Sequence, residues 1–171
     1  MKQNNWFDPF HIQSHLSEEE LEIQKNVRHF CEKKLKPSVV DMNRKHQFNI
    51  NLYPEFGSLG VLGQTVKSHG GSGTSNLAYG LVAYEFEKVD SSYRSSISVQ
   101  SSLVIHPINE FGSKDQKDKY LPELINGKKI GCFGLTESEA GSDPSSMKTT
   151  FKETKDGYIL NGSKNWISNA P

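Results

Sequence analysis

The stretch "YLPELINGKKIGCFGLTESEAGSD", Tyr120–Asp143, contains the point at which the pattern of the chain changes from helical to extended. Its first part reads as the end of a helix that stops at the dipeptide Asn126-Gly127. Its second part, "IGCFGLTE", is short, apolar and bounded by turn residues, which is typical of a β-strand. We therefore expect an α+β fold, with a helical domain over residues 1–125 and the first part of a barrel-like β-domain over residues 126–171.

Upstream of this stretch the chain reads as a series of helices. Capping-box pairs, Ser17 with Glu20 and Ser113 with Gln116, predict where the first and the last of them begin. The first helix has an apolar series at helical spacing, formed by Ile23, Val27, Phe30, Cys31 and Leu35. Between the two capping boxes we expect a short helix over "LYPEFGSLG", a glycine-rich loop, and two long helical segments that meet near residues 89–92.

Downstream of the stretch the pattern is extended. The segment "GYILNGSKNWIS" carries Asn161-Gly162 between two alternating runs, so we expect a hairpin that turns at this dipeptide and has Trp166 on its second strand. So few strands leave open sheet edges and little core. We therefore expect this chain to be a truncated piece of a longer protein that lacks its C-terminal part.

Composition and charge exclude several classes of protein. Twenty basic and twenty acidic residues give a formal net charge of zero, so we expect no nucleic-acid partner. No segment has the apolar length of a membrane span, and the first ten residues resemble no leader peptide. We expect an intracellular protein without a membrane partner, in a bacterial cytoplasm or, as a processed mature form, in the mitochondrial matrix.

Cysteines and histidines give no sign of a metal site. Cys31 and Cys132 are far apart, which favours two reduced, buried cysteines over a disulfide framework. Among six histidines only His11 and His15 stand four residues apart, and no acid or cysteine accompanies them at ligand spacing. We therefore expect no bound metal. The sequence also contains no phosphate-binding lysine loop and no Rossmann glycine motif.

The segment "DSSYRSSISVQSS", Asp90–Ser102, has one arginine beside a stripe of serines. On a helix, Ser91, Ser95, Ser98 and Ser102 fall on one face next to Arg94. This face is either a solvated or helix-contacting surface or the wall of a cleft. In a cleft the guanidinium needs an anionic partner, because an unpaired buried charge is costly. Asp90, four residues earlier, is one candidate partner, and a bound anion is the other.

Two further segments could bind a ligand. The loop "CFGLTESEAGSD" offers backbone N–H groups and hydroxyls to a phosphate or to the edge of a heterocycle, although an ordinary strand and cap would have the same composition. The indole of Trp166 is suited to stacking on a flat cofactor, and a place in the core is its alternative.

These segments together resemble a known family. "YLPELINGKKIGCFGLTESEAGSD" followed by "LNGSKNWISNA" resembles the flavin-binding region of the acyl-CoA dehydrogenases, and the likeness extends from about residue 15 to the last residue. "VDSSYRSSISVQSSLVIHPINEFGS" and "GCFGLTESEAGSDPSSM" are similar to the glutaryl-CoA dehydrogenases in particular. The resemblance implies a helical domain, a middle β-domain and a C-terminal helix bundle, of which this chain covers the first and about half of the second.

The resemblance also implies an activity. The family removes the α-proton of an acyl-CoA thioester and passes a hydride from the β-carbon to FAD. In the glutaryl enzymes loss of CO2 then gives crotonyl-CoA, in lysine and tryptophan degradation. The catalytic glutamate lies in the C-terminal bundle, so the resemblance implies no catalytic residue in this chain. Its expected partners are glutaryl-CoA or a similar acyl-CoA, an electron-transfer flavoprotein and identical subunits in a homotetramer.

Individual residues receive roles from the resemblance alone. Those that match FAD contacts are Phe133, Gly134, Leu135, Thr136, Gly141, Ser142, Trp166, Ile167 and Ser168. Within this set Thr136 matches a contact to the pyrimidine edge of the flavin and Ser142 a contact to the pyrophosphate. Those that match substrate contacts are Arg94, Ser95, Ser98 and Ser142, the first three around the distal carboxylate of the glutaryl group.

Two positions depart from the family pattern, and two other interpretations stay open. Ser138 and Ser168 stand where the family commonly has proline and threonine. The first change predicts a looser loop and the second keeps a hydroxyl. The alternatives are a dehydrogenase of another acyl-CoA, with Arg94 serving structure, and a noncatalytic fragment that binds flavin or a partner.

Overall fold

The computed structural model of the protein describes Asp8 and residues 10–170, and over these residues seven α-helices precede one two-stranded antiparallel sheet. The α-helices are α1 (Glu18–Phe30), α2 (Val39–Arg44), α3 (Leu52–Ser58), α4 (Asn76–Glu87), α5 (Ser91–Ser98), α6 (His106–Phe111) and α7 (Lys114–Ile125). The strands are β1 (Thr150–Thr154) and β2 (Gly157–Asn161). The expected α+β class, with helices first, is confirmed.

Short irregular helices join these elements. π-helical turns extend α1 over Cys31–Leu35 and α5 over Val99–Ile105. Single 3-10 turns occupy Ile12–His15 and Pro144–Ser146. No helix within residues 10–170 combines the length and the apolar character needed to cross a bilayer.

The helices begin where the capping patterns predict. Ser17 accepts a hydrogen bond from the Glu20 N–H, and the Glu20 carboxylate accepts one from the Ser17 N–H. Ser113 and Gln116 form the same reciprocal pair at the start of α7. Each pair satisfies backbone donors that the first turn of a helix would leave free. Local hydrogen bonding therefore fixes both boundaries.

An aromatic cluster forms the centre of the helical part. Helix α1 packs on α4, and α4 packs on α5. The rings of Phe56 and Phe86 are fully buried and meet edge to face with centroids 5.3 Å apart, and Phe30 packs against both. Such pairs add to the gain from burying the rings. The cluster holds α1, α3 and α4 together.

A buried carboxylate links α1 to α4 beside this core. Glu85 is 2% exposed, and its oxygens accept hydrogen bonds from Gln24, Arg28 and Lys88. Burial by itself would raise the pKa of the Glu85 carboxyl, but the hydrogen bonds from Arg28 and Lys88 outweigh it and hold the pKa below its usual value. The carboxylate is therefore buried in its charged form.

A glycine allows α7 to end against α3. Gly127 has φ 67°, and a Cβ atom there would lie 2.0 Å from the carbonyl oxygen of Tyr53. Only glycine permits both the left-handed backbone and this close approach. Helix α7 therefore ends at the predicted Asn126-Gly127, and its end packs against α3.

The expected strand over "IGCFGLTE" is wrong for this structure. Residues 130–136 have no regular secondary structure, and the nearest pairing is an isolated bridge between Glu137 and Ala140. A strand is defined by its neighbour, and among the described residues no second strand lies beside this segment. Its composition is that of a strand, but its backbone forms a loop.

The structure contains a hairpin, but it is not the expected one, because its strands β1 and β2 lie on either side of residues 155–156. Lys155 and Asp156 form the turn between β1 and β2, and Gly157, with φ 133°, follows it. Asn161 is the last residue of β2, and a Cβ atom at Gly162 would lie 2.2 Å from the Thr149 hydroxyl oxygen. The expectation of a turn at Asn161-Gly162 is therefore wrong.

Candidate functional site

Two segments of the chain meet at the candidate site. The first is the loop 132–142, and the second is the stretch 164–169. The N–H of Asn165 donates to the carbonyl of Thr136 over 2.8 Å, and Lys164 Nζ donates to the carbonyl of Leu135 over 2.9 Å. The structure thus brings together the two segments to which the sequence assigned the flavin contacts.

Glu137 fixes the loop from inside. Its carboxylate accepts hydrogen bonds from Lys164 Nζ at 2.8 Å, from the Lys148 N–H at 2.6 Å and from the Thr149 N–H at 2.9 Å. Lys164 contributes most to lowering the pKa of this carboxyl to about 2, and the two N–H donors add to the effect. The sequence analysis missed both Glu137 and Lys164, since 27 residues separate them in the chain.

The outer side of the loop is open to a ligand. The N–H groups of Phe133, Gly134, Leu135 and Ser142 make no backbone hydrogen bond within the described part of the chain. The side chain of Ser142 is exposed and that of Thr136 is half-buried. The loop therefore offers several donors at an accessible surface, and Gly141 adds an open position at which a Cβ atom would meet no neighbour.

Trp166 is not on a strand, contrary to expectation. It lies in a bend with φ 58°, and its side chain is 91% exposed. The physical reason is that the backbone leaves the hairpin at Gly162 and then pairs with the loop through Asn165. The alternative of an ordinary core residue is also wrong, because the indole is almost entirely exposed.

One cleft joins residues predicted for the substrate with residues predicted for the flavin. It has a volume of about 620 Å³. Its walls include Phe48, Tyr53 and Ser95 on one side and Ser168 and Asn169 on the other. Ser168 lies in an exposed turn, and the neighbouring Ile167 is half-buried. The structure therefore brings Ser95 and Ser168 to the same cleft, although they stand far apart in the sequence.

Arg94 has a partner that the sequence analysis missed. Its Nε donates to Glu87 over 2.7 Å, and Asp90 instead caps α5 by accepting from the Ser92 N–H. Glu87 escaped notice because it stands seven residues before Arg94, outside one helical turn. The bend between α4 and α5 brings the two together. The bond uses Nε, so within the described residues the terminal nitrogens of the guanidinium stay available to an anion.

The serine stripe has a mixed environment. Ser98 and Ser102 contact the hydroxyl of Tyr79 on α4 at 3.3 and 2.7 Å. Ser91 donates to Glu87 over 2.6 Å, next to Arg94. The stripe is thus a helix contact at Ser98 and Ser102 and a cleft wall at Ser95.

Of the two cysteines that were expected to be buried, only Cys31 is buried. Cys31 is buried, and burial raises the pKa of its thiol to about 12. Cys132 is exposed, contrary to expectation, because the segment expected to be a strand runs along the surface as a loop. Within residues 10–170 no three histidine, cysteine or acidic side chains cluster as a metal site would require.

The donor set suits the dinucleotide cofactor that the sequence resemblance implies. Free N–H groups and hydroxyls of the loop match the carbonyl and phosphate oxygens of FAD, and the exposed indole offers a flat apolar surface beside them. The residues present therefore fit a flavin.

Comparison with known proteins gives the family. Residues 17–128 match the model of the acyl-CoA dehydrogenase N-terminal domain, and residues 132–171 match that of the acyl-CoA dehydrogenase middle domain. The chain is 35% identical over 156 residues to an acyl-CoA dehydrogenase of Bacillus subtilis, covering 91% of this chain and 41% of that protein. It is 38% identical over 160 residues to the mitochondrial isovaleryl-CoA dehydrogenase of Pongo abelii, covering 91% of this chain and 38% of that protein.

A solved structure agrees with these matches. The glutaryl-CoA dehydrogenase of Mycobacterium smegmatis in complex with FADH2 superposes with a TM-score of 0.90 at 42% identity, covering 92% of this chain and 41% of that one. The chain therefore spans about two fifths of the length of these relatives. Because the model of the N-terminal domain matches well over half of its residues, the chain belongs to the acyl-CoA dehydrogenase family.

Proposed function

We propose that this chain supplies the N-terminal helical domain, residues 1–125, and the first part of the flavin-binding middle domain, residues 126–171, of an FAD-dependent glutaryl-CoA dehydrogenase. The observation that carries the proposal is the cleft that Ser95 shares with Ser168. A substrate carboxylate near Ser95 and a flavin beside Ser168 would then lie on opposite sides of one cavity.

The loop and the stretch after β2 would hold the cofactor. The free N–H groups from Phe133 to Leu135 and the hydroxyl of Thr136 are suited to the heterocycle, and Ser142 with Gly141 to the pyrophosphate. Trp166, Ile167 and Ser168 would flank the ring system. When bound, FAD supplies the acceptor for a hydride. The protein residues orient it and exclude water from one of its faces.

The preference for glutaryl-CoA rests on Arg94 and on Ser95, which is the one of the three predicted substrate residues on α5 that lines the cleft, since Ser98 instead contacts Tyr79. Glu87 holds Arg94 through Nε and leaves the end of the guanidinium fork free, which suits a second, bidentate carboxylate. Relatives act on different acyl groups, as the names isovaleryl-CoA and glutaryl-CoA dehydrogenase state, so this preference is part of the proposal. A dehydrogenase of another acyl-CoA, in which Arg94 and Glu87 are a structural ion pair, is the second candidate.

The proposal places other parts of the activity outside this chain. The base that removes the α-proton would come from the C-terminal helices of the family, so we expect the 171-residue chain alone not to oxidise an acyl-CoA. The electrons would pass to an electron-transfer flavoprotein. The complete enzyme would be a homotetramer.

Two experiments test the proposal at separate levels. Titration of the 171-residue chain with FAD, followed by flavin fluorescence, tests the cofactor site. A chimaera that joins this chain to the remaining part of the Mycobacterium smegmatis enzyme tests the substrate. We expect the chimaera to oxidise glutaryl-CoA better than isovaleryl-CoA. The reverse preference would support the second candidate, and a failure of the 171-residue chain to bind FAD would overturn the proposed cofactor site.

A further inference from the structure

Gln100 bonds three backbone groups between residues 124 and 131. Its side chain is fully buried in the π-helical turn that extends α5. Nε2 donates to the carbonyls of Leu124 and Lys129, each over 2.9 Å, and Oε1 accepts from the N–H of Gly131 over 2.8 Å. A buried carboxamide with both ends bonded is rigid, and each of its partners would be left unsatisfied without it.

Asn169 holds the same peptide from the other side. Its Nδ2 donates to the carbonyl of Gly131 over 3.3 Å and to the carbonyl of Ser96 on α5 over 3.1 Å. A Cβ atom at Gly131 would lie 2.4 Å from Cγ1 of Val104, so the backbone there lies directly against the helix. Gly131 is therefore fixed at its N–H, at its carbonyl and at its α-carbon.

The positions of these contacts in the chain connect all parts of the candidate site. The loop 132–142 begins one residue after Gly131, and Trp166 to Ser168 immediately precede Asn169. Ser95 and Arg94 stand on α5 just before Gln100. The loop and the exposed stretch have no sheet of their own within residues 10–170 to align them with α5. Gln100 and Asn169 make that alignment.

We propose that Gln100 and Asn169 are positioning residues that hold both flavin-binding segments in register with the helix that carries the acyl-group contacts. The inference rests on the proposed function. It adds two residues that act through the Gly131 peptide, Gln100 from the buried core and Asn169 from the wall of the cleft. Small displacements of binding groups cost much of their effect, so the brace formed by Gln100, Gly131 and Asn169 determines how tightly the flavin binds.

The test uses the 171-residue chain with three variants. Gln100→Leu and Asn169→Ala each remove one side of the brace, and Asn169, at the partly buried edge, is the variant that threatens folding less. Gln24→Leu is the matched control, because Gln24 is also a buried carboxamide but bonds Glu85 on the far side of α4. Hydrogen exchange at the Gly131 N–H, FAD titration and the visible absorption band of the bound flavin are measured on all four proteins.

We expect both brace variants to bind FAD at least about tenfold more weakly and to shift the flavin band, because each removes hydrogen bonds that fix the Gly131 peptide, and displaced binding groups lose affinity. Exchange at Gly131 should accelerate in Gln100→Leu. Gln24→Leu should lower thermal stability and change neither flavin readout. If the brace variants weakened FAD binding only through a general loss of stability, Gln24→Leu would weaken FAD binding to the same degree.

The outcomes separate this inference from the proposed function. If the unaltered chain binds FAD and the two brace variants bind it equally well, the positioning role is wrong while the flavin site stands. If the unaltered chain binds no FAD, the proposed cofactor site is wrong. Unchanged exchange at Gly131 in Gln100→Leu would overturn the brace in either case.

Discussion

At the scale of single residues, Trp166 presents an exposed aromatic surface. Its indole is 91% exposed beside the loop whose N–H groups are free, which is the arrangement expected of a stacking partner and not of a core residue. The role of Trp166 therefore depends on which group stacks on the indole.

We expect Trp166→Ala to weaken FAD binding by about five- to tenfold and to raise the emission of bound flavin, because about 1 kcal/mol of stacking and an aromatic quencher are lost together. Fluorescence titration of the 171-residue chain measures both. Phe111→Ala is the control, since Phe111 is 87% exposed at the end of α6. Equal effects of the two variants on FAD binding would show that Trp166 does not contact the flavin.

Arg94 and Glu87 give a second prediction at this scale. In the chimaera we expect Arg94→Gln to lower kcat/KM for glutaryl-CoA by about tenfold, since removing one partner of a buried charge pair costs about 2 to 5 kcal/mol and the 37% exposure of the Arg94 side chain reduces that loss. For a neutral acyl-CoA of similar length the change should be small. Steady-state kinetics on both substrates measure the difference.

Glu87→Gln is the control for this prediction, because it removes the ion pair and leaves the guanidinium in place. We expect it to reduce glutaryl-CoA turnover less than Arg94→Gln does. If Arg94 serves only structure, both variants will lower the melting temperature alike and will affect the two substrates equally. That result would remove the physical support for the glutaryl preference.

Glu137 gives a pH prediction. The pKa of its carboxyl is lowered from 4.5 to about 2, so its contribution to loop stability is fully present above pH 4.5 and is lost as the pH falls through about 2. The amide resonances of Lys148 and Thr149 should report this titration in NMR spectra. Lys164→Met should move the midpoint upward, because Lys164 is the largest cause of the shift. A midpoint that does not move would contradict the assignment.

At the scale of elements, a charge network joins helices α1 and α4. Glu85 is almost fully buried, whereas Arg28 is 39% exposed. The pair therefore combines a carboxylate that has lost its water with a cation that keeps part of its own. Removing the cation should cost more than removing both charges.

We expect Arg28→Leu to lower the free energy of unfolding by about 2 to 3 kcal/mol, since the buried carboxylate keeps only its weaker partners and the exposed part of Arg28 reduces the effect. The double variant Arg28→Leu with Glu85→Leu should recover part of this loss. Urea denaturation of the three proteins measures the difference. A double variant less stable than Arg28→Leu would show that the charged pair itself stabilises the contact between the helices.

The hairpin gives the molecule an exposed apolar face. Phe151 lies opposite Leu160, the rings of Phe151 and Tyr158 are 5.8 Å apart, and all three side chains are at least 69% exposed. Phe133 and Trp166 add exposed apolar area elsewhere in the same part of the chain. Surfaces of this kind favour association between molecules.

We expect the chain to self-associate as its concentration rises, and Leu160→Thr to reduce this association. Ile159→Thr is the matched control, because the neighbouring Ile159 points to the opposite face and is 59% exposed. Sedimentation velocity over a range of concentrations measures the effect. Equal results for the two variants would exclude this face as the contact.

The sequence by itself determined most of the helical part of the molecule, although it did not predict the short helix α2. Capping boxes at Ser17 and Ser113 and the stop at Gly127 depend on contacts within a few residues, and such contacts can be read from spacing. The family and the two candidate binding segments could also be predicted from the sequence, because short motifs identify them.

Only the tertiary structure decided the rest. The partner of Arg94, the bond between Lys164 and Glu137 and the brace from Gln100 to Gly131 all join residues outside one helical turn, up to 31 positions apart. Spacing in the sequence contains no information on which of many acids or amides such a residue will meet. The loop at 130–136 became a loop for the same reason, since a strand requires a neighbour that only the folded chain can supply.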